Sequence, residues 1–157
     1  MDRPYVVGID IGGQSAKIGI VDTRGTVLSQ TAIKSNDTNS HVEFIENLCS
    51  AVEKLAEKAN IPMSKIRGIG IGAPNANYYT GTIENAVNLT FGGMKVIPFA
   101  DLMSERIGLP VRLTNDANAA AVGEMTYGAA RGMKNFITIT LGTGVGSGIV
   151  VGGYVLY

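Results

Sequence analysis

The residues of this sequence best suited to catalysis are an asparagine and an aspartate, Asn115 and Asp116. They follow residues 111–114, which predict a short strand, and precede residues 117–130, an alanine-rich run that predicts a helix. Ligands of open α/β sheets bind at the edge where strands end. A carboxylate there could take a proton from a substrate. It could equally cap the helix by accepting backbone N–H groups of the first turn, and the pair alone leaves both interpretations open.

Two glycine-rich turns are the next candidates for chemistry. The first covers residues 11–14, and the second lies in the run 142–148 between two predicted strands. Glycine turns expose backbone N–H groups that suit phosphate oxygens. Asp10, beside the first turn, is suited to hold Mg²⁺ through water, because Mg²⁺ keeps several waters and takes few carboxylates. Plain hairpins use the same residues, and neither turn is a Rossmann or Walker fingerprint.

The hydrophobic pattern predicts the elements that would position these residues. Strands are expected at residues 5–10, 15–21, 26–33, 66–71, 111–114, 136–141, 149–151 and 154–157. Helices are expected from a capping box at Ser40 and Glu43 to about Ala59, from Pro98 to Gly108, and from Ala117 to near Gly132. Residues 75–95 read as a long polar and aromatic loop, which is more often functional than idle.

The order of these elements indicates an α/β fold. The first three strands form an antiparallel meander with short connections. The strands at 66–71 and 111–114 each follow a helix, which predicts that they run parallel to the first strand. We therefore expect a mixed five-stranded sheet in the order 3-2-1-4-5, covered by helices.

Composition narrows the class of protein. The 157 residues are 45% hydrophobic, and 13 Lys and Arg balance 13 Asp and Glu, so no net charge draws the chain to nucleic acid or an anionic membrane. Cys49 is the only cysteine and is expected in the core, and the single histidine, His41, allows no histidine-based metal site or triad.

The uncharged stretch 136–157 raises the question of a membrane span. Its Ile-Thr-Ile-Thr alternation has the period of a strand, and it is rich in glycine and threonine, so strands are favoured over a membrane helix. The start of the chain has no signal-peptide pattern. We expect a cytoplasmic protein.

Together, the two turns and the Asn-Asp pair resemble the phosphate-1, catalytic and phosphate-2 segments of sugar kinases in the actin/hexokinase/Hsp70 superfamily. The detail is similar to the ROK family, and nearly the whole chain follows its order. The similar segments are residues 8–13, residues 115–121 with Gly123 and Glu124, residues 141–146, and residues 72–75 and 85–89, which resemble the sugar-side loops of that family.

This resemblance implies a fold and a set of roles. Residues 1–132 would form an N-terminal RNase H-like kinase domain, and residues 133–157 the first strands of a truncated second domain. Asp116 would be the base that takes the proton from the sugar hydroxyl. The sugar would be bound by Asn75, Asn88, Asn115 and Asp116, the ATP phosphates by Gly12, Gly13, Gln14, Lys17, Gly142, Thr143 and Gly144, and Mg²⁺ by Asp10 through water.

Two points in this assignment stay open. Lys17 could equally be an outward surface lysine, and Gln14 stands where the family usually has threonine. The resemblance also places several family features in a part not present here: the Glu-x-Gly-His sugar segment, the zinc-binding Cys/His cluster, the adenosine pocket and the closing helix.

The function implied is ATP-dependent phosphorylation of a hexose. The sugar-side loop resembles glucokinases, which convert glucose to glucose 6-phosphate, as in glycolysis, and N-acetylated sugars, which use similar positions, are the alternative substrates. Hexose, ATP and Mg²⁺ would be the ligands, and we expect a homo-oligomer that binds neither nucleic acid nor membrane. One alternative is a ROK-type sugar-responsive transcriptional regulator, although the first strand begins at Tyr5 and leaves no room for the N-terminal helix-turn-helix of those proteins. Another is an actin-like ATPase without a sugar, against which the Asn-Asp pair and the asparagine-rich loop argue.

Residues 1–157 alone are expected to be inactive as a kinase, because half of the substrate cleft is missing. Strands in 136–157 are expected to lack a helix over one face and a neighbour at their outer edge. Such uncharged edges pair with other chains. We therefore expect self-association through 136–157, and a monomer when the chain is cut after about Gly132.

Overall fold

The computed structural model describes residues 2–142 and 144–157, and a five-stranded sheet lies at its centre. Its strands are β1 (Tyr5–Ile11), β2 (Ser15–Val21), β3 (Val27–Lys34), β4 (Ile66–Ala73) and β8 (Val111–Asn115). Their order is β3-β2-β1-β4-β8, with β2 antiparallel to its neighbours and β4 and β8 parallel to β1. The predicted mixed sheet and strand order are confirmed.

Two helices cover one face of this sheet, α1 (His41–Lys58) and α2 (Phe99–Ile107). Alternate strand residues such as Val7 and Ile9 are buried beneath them, as the period of a half-covered strand requires. The rings of Phe44 and Phe91 stack with centroids 4.4 Å apart in the same core. Cys49 is buried, and that burial raises the pKa of its thiol to about 11, so it is a core residue as predicted.

The start of α1 is only half of the predicted capping box. Ser40 Oγ accepts the Glu43 N–H at 3.3 Å, as expected. The Glu43 carboxylate, however, accepts from the Thr38 hydroxyl at 2.6 Å, and Thr38 Oγ1 accepts the Ser40 N–H at 3.0 Å. Thr38 therefore takes the second role of the box, because its hydroxyl accepts the Ser40 N–H and donates to the Glu43 carboxylate.

The predicted loop between β4 and α2 contains strands, and that prediction is corrected. This inserted segment, residues 75–97, holds β5 (Ala76–Asn77), β6 (Thr82–Glu84) and β7 (Val96–Ile97), which form a small sheet in that order. Hydrogen bonds from Thr82 at 2.6 Å and Asn77 at 3.1 Å lower the pKa of Glu84, so its carboxylate ties the segment together at neutral pH. Strands of two or three residues are too short to show a hydrophobic period.

A third helix lies between the central sheet and a second sheet. The helix is α3 (Asp116–Tyr127), and the second sheet contains β9 (Phe136–Leu141), β10 (Val145–Val151) and β11 (Tyr154–Leu156) in the order β11-β10-β9. A methyl group on Gly72 of β4 would lie 3.3 Å from the Ala119 Cβ. One on Gly148 of β10 would overlap the Ala117 carbonyl oxygen and lie 2.7 Å from the Ala121 Cβ. Alanines on α3 and glycines on both sheets thus allow the central sheet, α3 and the second sheet to pack closely as three layers.

This packing explains two differences from the predicted boundaries. β10 begins at Val145 rather than at 149, because Gly146 and Gly148 are strand positions against α3 and do not belong to the turn. α3 ends at Tyr127 rather than near Gly132. Gly128 leaves the helix in an extended conformation, and the Glu124 carboxylate accepts the Ala129 N–H at 2.8 Å.

The second sheet is covered by α3 on one face only. Ile137, Ile139, Leu141 and Val145 on the opposite face are between 63% and 80% exposed. The division into two domains near residue 132 remains a prediction. Among the residues that the structure describes, we find no helix with the length and apolar character needed to cross a membrane.

The contact between β10 and α3 can be tested at Gly148. We expect Gly148→Ala to lower the free energy of unfolding by about 1–3 kcal/mol, because the added methyl group meets helix backbone. Gly123→Ala is the matched control, since a methyl group there meets nothing within 4 Å and should raise the free energy of unfolding by about 0.5–1 kcal/mol. Urea denaturation of both variants measures the difference, and equal effects would contradict the described packing.

Candidate active site

A row of residues crosses the central sheet where β1, β4 and β8 end. The strand registers pair Asp10 of β1 with Lys17 of β2 and with Gly72 of β4, and pair Gly72 with Thr114 of β8. Paired residues share a face of the sheet, and Asp10 lies on the face opposite the buried Ile9. Two residues predicted for the phosphate side, Asp10 and Lys17, are therefore exposed neighbours.

The Asn-Asp pair lies at the junction of β8 and α3, as the sequence predicts. The helix begins at Asp116, and its cap is Asn115, whose Oδ1 accepts the Ala117 N–H at 2.9 Å. Asp116 Oδ1 also accepts that N–H, at 2.8 Å. Because Asn115 already caps the helix, Asp116 is not needed for that role, and its carboxylate is exposed.

Asp10 and Asp116 line one cleft of about 410 Å³, which we call the carboxylate cleft. Gly72 and the Ala119 side of α3 form its walls, and Thr140 of β9 contributes from the second sheet. Carboxylates from β1 and α3 thus reach the same space from two different elements. A cleft of this size accommodates the reacting groups of two small molecules.

A larger apolar trough of about 1000 Å³ adjoins this cleft along the same face of the sheet. It shares Asp10 and Gly72 with the cleft, but Asp116 does not line it. Tyr78 and Tyr157 stack at its margin with ring centroids 4.0 Å apart. We assign the chemistry to the smaller cleft, because both carboxylates face it and the trough offers mainly apolar surface.

The first glycine turn is held against the inserted segment. The Gly12 N–H donates to the Ser15 carbonyl oxygen at 2.9 Å and closes the turn between β1 and β2. A methyl group on Gly13 would lie 2.9 Å from the Asn88 carbonyl oxygen, so only glycine fits there without a shift. Gln14 is exposed. The structure therefore brings the predicted phosphate turn and the predicted sugar residue Asn88 into contact.

Asn75 has a role within the inserted segment itself. Its Nδ2 group donates to the Glu84 carbonyl oxygen at 3.0 Å and to the Asn85 carbonyl oxygen at 3.1 Å. The backbone of Asn75 has φ of 54°, a left-handed conformation that asparagine tolerates. Both N–H groups of this amide are thus used to close the segment, and a contact with sugar would have to use its oxygen.

The second glycine turn joins β9 to β10. The Gly142 N–H donates to the Gly144 carbonyl oxygen at 2.9 Å, and both glycines are exposed. Thr143, the third predicted residue of this turn, lies outside the described residues. The turn sits at the end of the strand that carries Thr140, whose neighbours Gly146 and Ala117 connect it to the start of α3.

A magnesium ion held through water fits the donor set of the cleft. Asp10 offers a single exposed carboxylate two residues before the turn. Proteins usually bind Mg²⁺ through one or two carboxylates while the ion keeps several of its waters. Within residues 2–142 and 144–157 no three His, Cys, Asp or Glu side chains gather into a metal-binding group. A Cys/His zinc cluster does not fit this chain, because Cys49 and His41 are its only residues of those types.

Three residues near the site were not singled out from the sequence. Thr140 faces the cleft because alternate residues of β9 point toward α3, a signal present in the Ile-Thr-Ile-Thr pattern. Ser35 and Thr90 hydrogen-bond near the first turn. Ser35 follows the third predicted strand, and Thr90 stands in the loop predicted at residues 75–95. Hydrogen bonds between residues so distant in sequence leave no local pattern to find.

Comparison with known proteins agrees with this geometry. The family model described as the ROK family matches residues 6–157. A glucokinase of Halalkalibacterium halodurans is 40% identical over 157 residues, which are 99% of this chain and 46% of that protein. The crystal structure of a ROK family glucokinase from Streptomyces griseus in complex with glucose and AMPPNP is 35% identical, with a TM-score of 0.81 over 97% of this chain and 46% of that one.

Regulators are also among the relatives. The xylose repressor of Caldicellulosiruptor bescii is 29% identical, and the match covers 96% of this chain and 37% of the repressor. The chain thus spans about half or less of the length of these relatives. Since the family model covers all but its first five residues, the chain belongs to the ROK family.

Proposed function

We propose that this chain forms the phosphate-binding and sugar-binding part of an ATP-dependent hexose kinase, with glucose as the hexose. The observation that carries the proposal is the position of Asp10 and Asp116 on one cleft. The similarity to proteins named glucokinases supports it, and one of those structures holds glucose and an ATP analogue. Phosphoryl transfer depends on positioning and on charge stabilisation, which this cleft can supply.

Asp116 is the proposed general base. As the hexose hydroxyl oxygen bonds to the γ-phosphorus, the Asp116 carboxylate accepts the proton, and the bond from that phosphorus to the β,γ-bridging oxygen breaks to release ADP. A positioned carboxylate contributes about 10²–10⁴-fold to such a step. The first turn of α3 supports this role, because Asn115 holds the helix start independently.

The phosphate side consists of the two turns and the Asp10–Lys17 pair. Backbone N–H groups of Gly13 and Gly144 would donate to phosphate oxygens, together with Gln14 and Thr143, while the N–H groups of Gly12 and Gly142 close the two turns. Lys17 lies beside Asp10 in the sheet register and would add positive charge. Asp10 would hold Mg²⁺ through water, and the ion would supply neutralisation of phosphate charge there.

The sugar side would consist of Asn88, Asn115 and the Asn75 oxygen. Asn88 belongs to the inserted segment and Asn115 ends β8, so the hexose would lie between the segment and the start of α3. We also propose that activity needs the further length that the relatives have, that residues near 132 separate two domains, and that the active protein is a cytoplasmic homo-oligomer.

A sugar-responsive regulator is the second candidate, because repressors are among the relatives. A regulator would bind the sugar through the asparagines without needing Asp116 as a base. An actin-like ATPase would hydrolyse ATP without hexose. Glucose-dependent release of ADP separates the kinase from both.

Substitution of Asp116 tests the proposed base. In the complete enzyme, by which we mean this chain together with the remaining length of its relatives, Asp116→Asn should lower kcat for glucose phosphorylation by about 10²–10⁴-fold. The amide cannot accept the proton. The free energy of unfolding should stay nearly unchanged, because the cap belongs to Asn115.

Asn115→Ala is the matched control, since it should lower the free energy of unfolding by about 1 kcal/mol through loss of the cap. A coupled ADP assay and urea denaturation measure both variants. A fall in kcat of less than about tenfold for Asp116→Asn would contradict the proposal that Asp116 is the general base.

Residues 1–157 by themselves should release no ADP in response to glucose, because domain closure over the cleft has nothing to close against. They should also self-associate through the exposed face of the second sheet, whose apolar side chains are uncovered. The ADP assay and light scattering on the same sample measure both properties. Glucose phosphorylation by this chain, or a monodisperse monomer, would contradict the prediction.

A charge on the exposed face tests the self-association more sharply than truncation after Gly132, which would also uncover Ala117 and Ala121 on α3. Ile139→Lys places a charge in the middle of β9 on that face and should return a monomer. Val42→Lys, at an apolar position of α1 that is equally exposed, is the control and should leave the association unchanged.

A further inference from the structure

The first glycine turn and the inserted segment are connected by hydrogen bonds that start at Ser35. This residue directly follows β3, and it is the buried polar residue of the described core. Its Oγ donates to the Gly12 carbonyl oxygen at 2.5 Å, and its backbone N–H donates to the Gln14 carbonyl oxygen at 3.0 Å. Ser35 thus holds two carbonyl groups of the first glycine turn. A carbonyl oxygen directed at a phosphate group would repel it. By accepting hydrogen bonds from Ser35, these two carbonyl oxygens are directed away from the phosphate site.

The link continues into the inserted segment through Thr90. The Thr90 hydroxyl lies 3.2 Å from the Ser35 carbonyl oxygen and 2.9 Å from the Thr38 carbonyl oxygen, and it donates to this pair. Its neighbours Leu89 and Phe91 are both buried, so the backbone at Thr90 is anchored on each side. A single hydroxyl therefore joins the inserted segment to the loop that holds the first turn.

A second contact runs parallel to this link. The Asn88 carbonyl oxygen lies against Gly13, close enough that a Cβ on that glycine would be 2.9 Å away. Asn88 is two residues from Thr90, and it is a proposed sugar contact. A displacement of the inserted segment on binding a hexose would therefore reach the first turn both directly, at Gly13, and through Thr90 and Ser35.

We propose that Ser35 and Thr90 are positioning residues that couple the hexose site to the phosphate turn, so that each substrate strengthens binding of the other. The inference rests on the proposed function, because it assigns the hexose to the inserted segment and ATP phosphates to the turn. Coupling of this kind is reciprocal: the factor by which glucose changes nucleotide affinity equals the factor by which nucleotide changes glucose affinity.

The first arm of the test needs no kinase activity. Thr90→Val removes the hydroxyl and keeps the shape of the side chain, and Thr90 is exposed, so the fold is not at risk. Amide hydrogen exchange of the Ser35 N–H, measured by NMR on residues 1–157 carrying Ile139→Lys in every sample so that the chain is monomeric, should become roughly fivefold faster. Thr80→Val is the matched control, because the Thr80 hydroxyl bonds within the segment, to Thr82 and Glu84. If Thr90→Val leaves the exchange rate of the Ser35 N–H unchanged, the proposed link between Thr90 and Ser35 is overturned.

The second arm measures coupling in the complete enzyme. Calorimetry gives the Kd of AMPPNP with and without glucose, and the ratio of the two is the coupling factor. Thr90→Val should reduce this factor about fivefold, while Thr90→Ser, which keeps the hydroxyl, and Thr80→Val should preserve it. Ser35→Ala should cause a similar loss, and the double variant with Thr90→Val should lose no more than either single change.

The outcomes separate the two proposals. If the unaltered enzyme binds neither glucose nor AMPPNP, the proposed function fails and the coupling fails with it. If the unaltered enzyme binds both and Thr90→Val retains the full coupling factor, the coupling alone is overturned. A fall in thermal stability without a change in the coupling factor would likewise show that Thr90 is structural only.

Discussion

Close packing of α3 between two sheets is the interaction on which the rest of this structure depends. Ala119 meets Gly72 of the central sheet, while Ala117 and Ala121 meet Gly148 of the second sheet. Larger side chains at any of these positions would separate the layers, because the contacts are already at van der Waals distance. The helix is buried at Ala117 and Ala121, where it meets the second sheet, and residues 122–124 are exposed.

This packing fixes where the chemistry can occur. The first residue of α3 is Asp116, and a helix held from both sides presents that carboxylate at a fixed place between the sheets. Asp10 reaches the same cleft from β1, and Thr140 reaches it from β9. The carboxylate cleft is thus a consequence of the three-layer arrangement, and its two acidic groups come from elements more than 100 residues apart in the chain.

Much of this arrangement follows from the sequence, and the failures have physical causes. The strand order of the central sheet follows from the meander and the two helical crossovers, and the Asn115-Asp116 junction follows from the change of period at residue 115. The start of β10 was misplaced because glycine in a sequence signals a turn, whereas Gly146 and Gly148 permit contact with α3. Whether a glycine forms a turn or permits a helix contact depends here on α3, which is distant in sequence from these glycines, so the local sequence pattern does not predict it.

Paramagnetic broadening by Mn²⁺·AMPPNP in the complete enzyme with glucose tests the central claim most directly, since Mn²⁺ replaces Mg²⁺ and broadens only nearby NMR resonances. The account predicts that the amide resonances of Gly12, Gly13 and Asp116 broaden together in one titration, because the turn and the start of α3 face the same cleft. Broadening at Gly12 and Gly13 that leaves Asp116 unaffected would contradict it, because the nucleotide phosphates would then lie away from the proposed base.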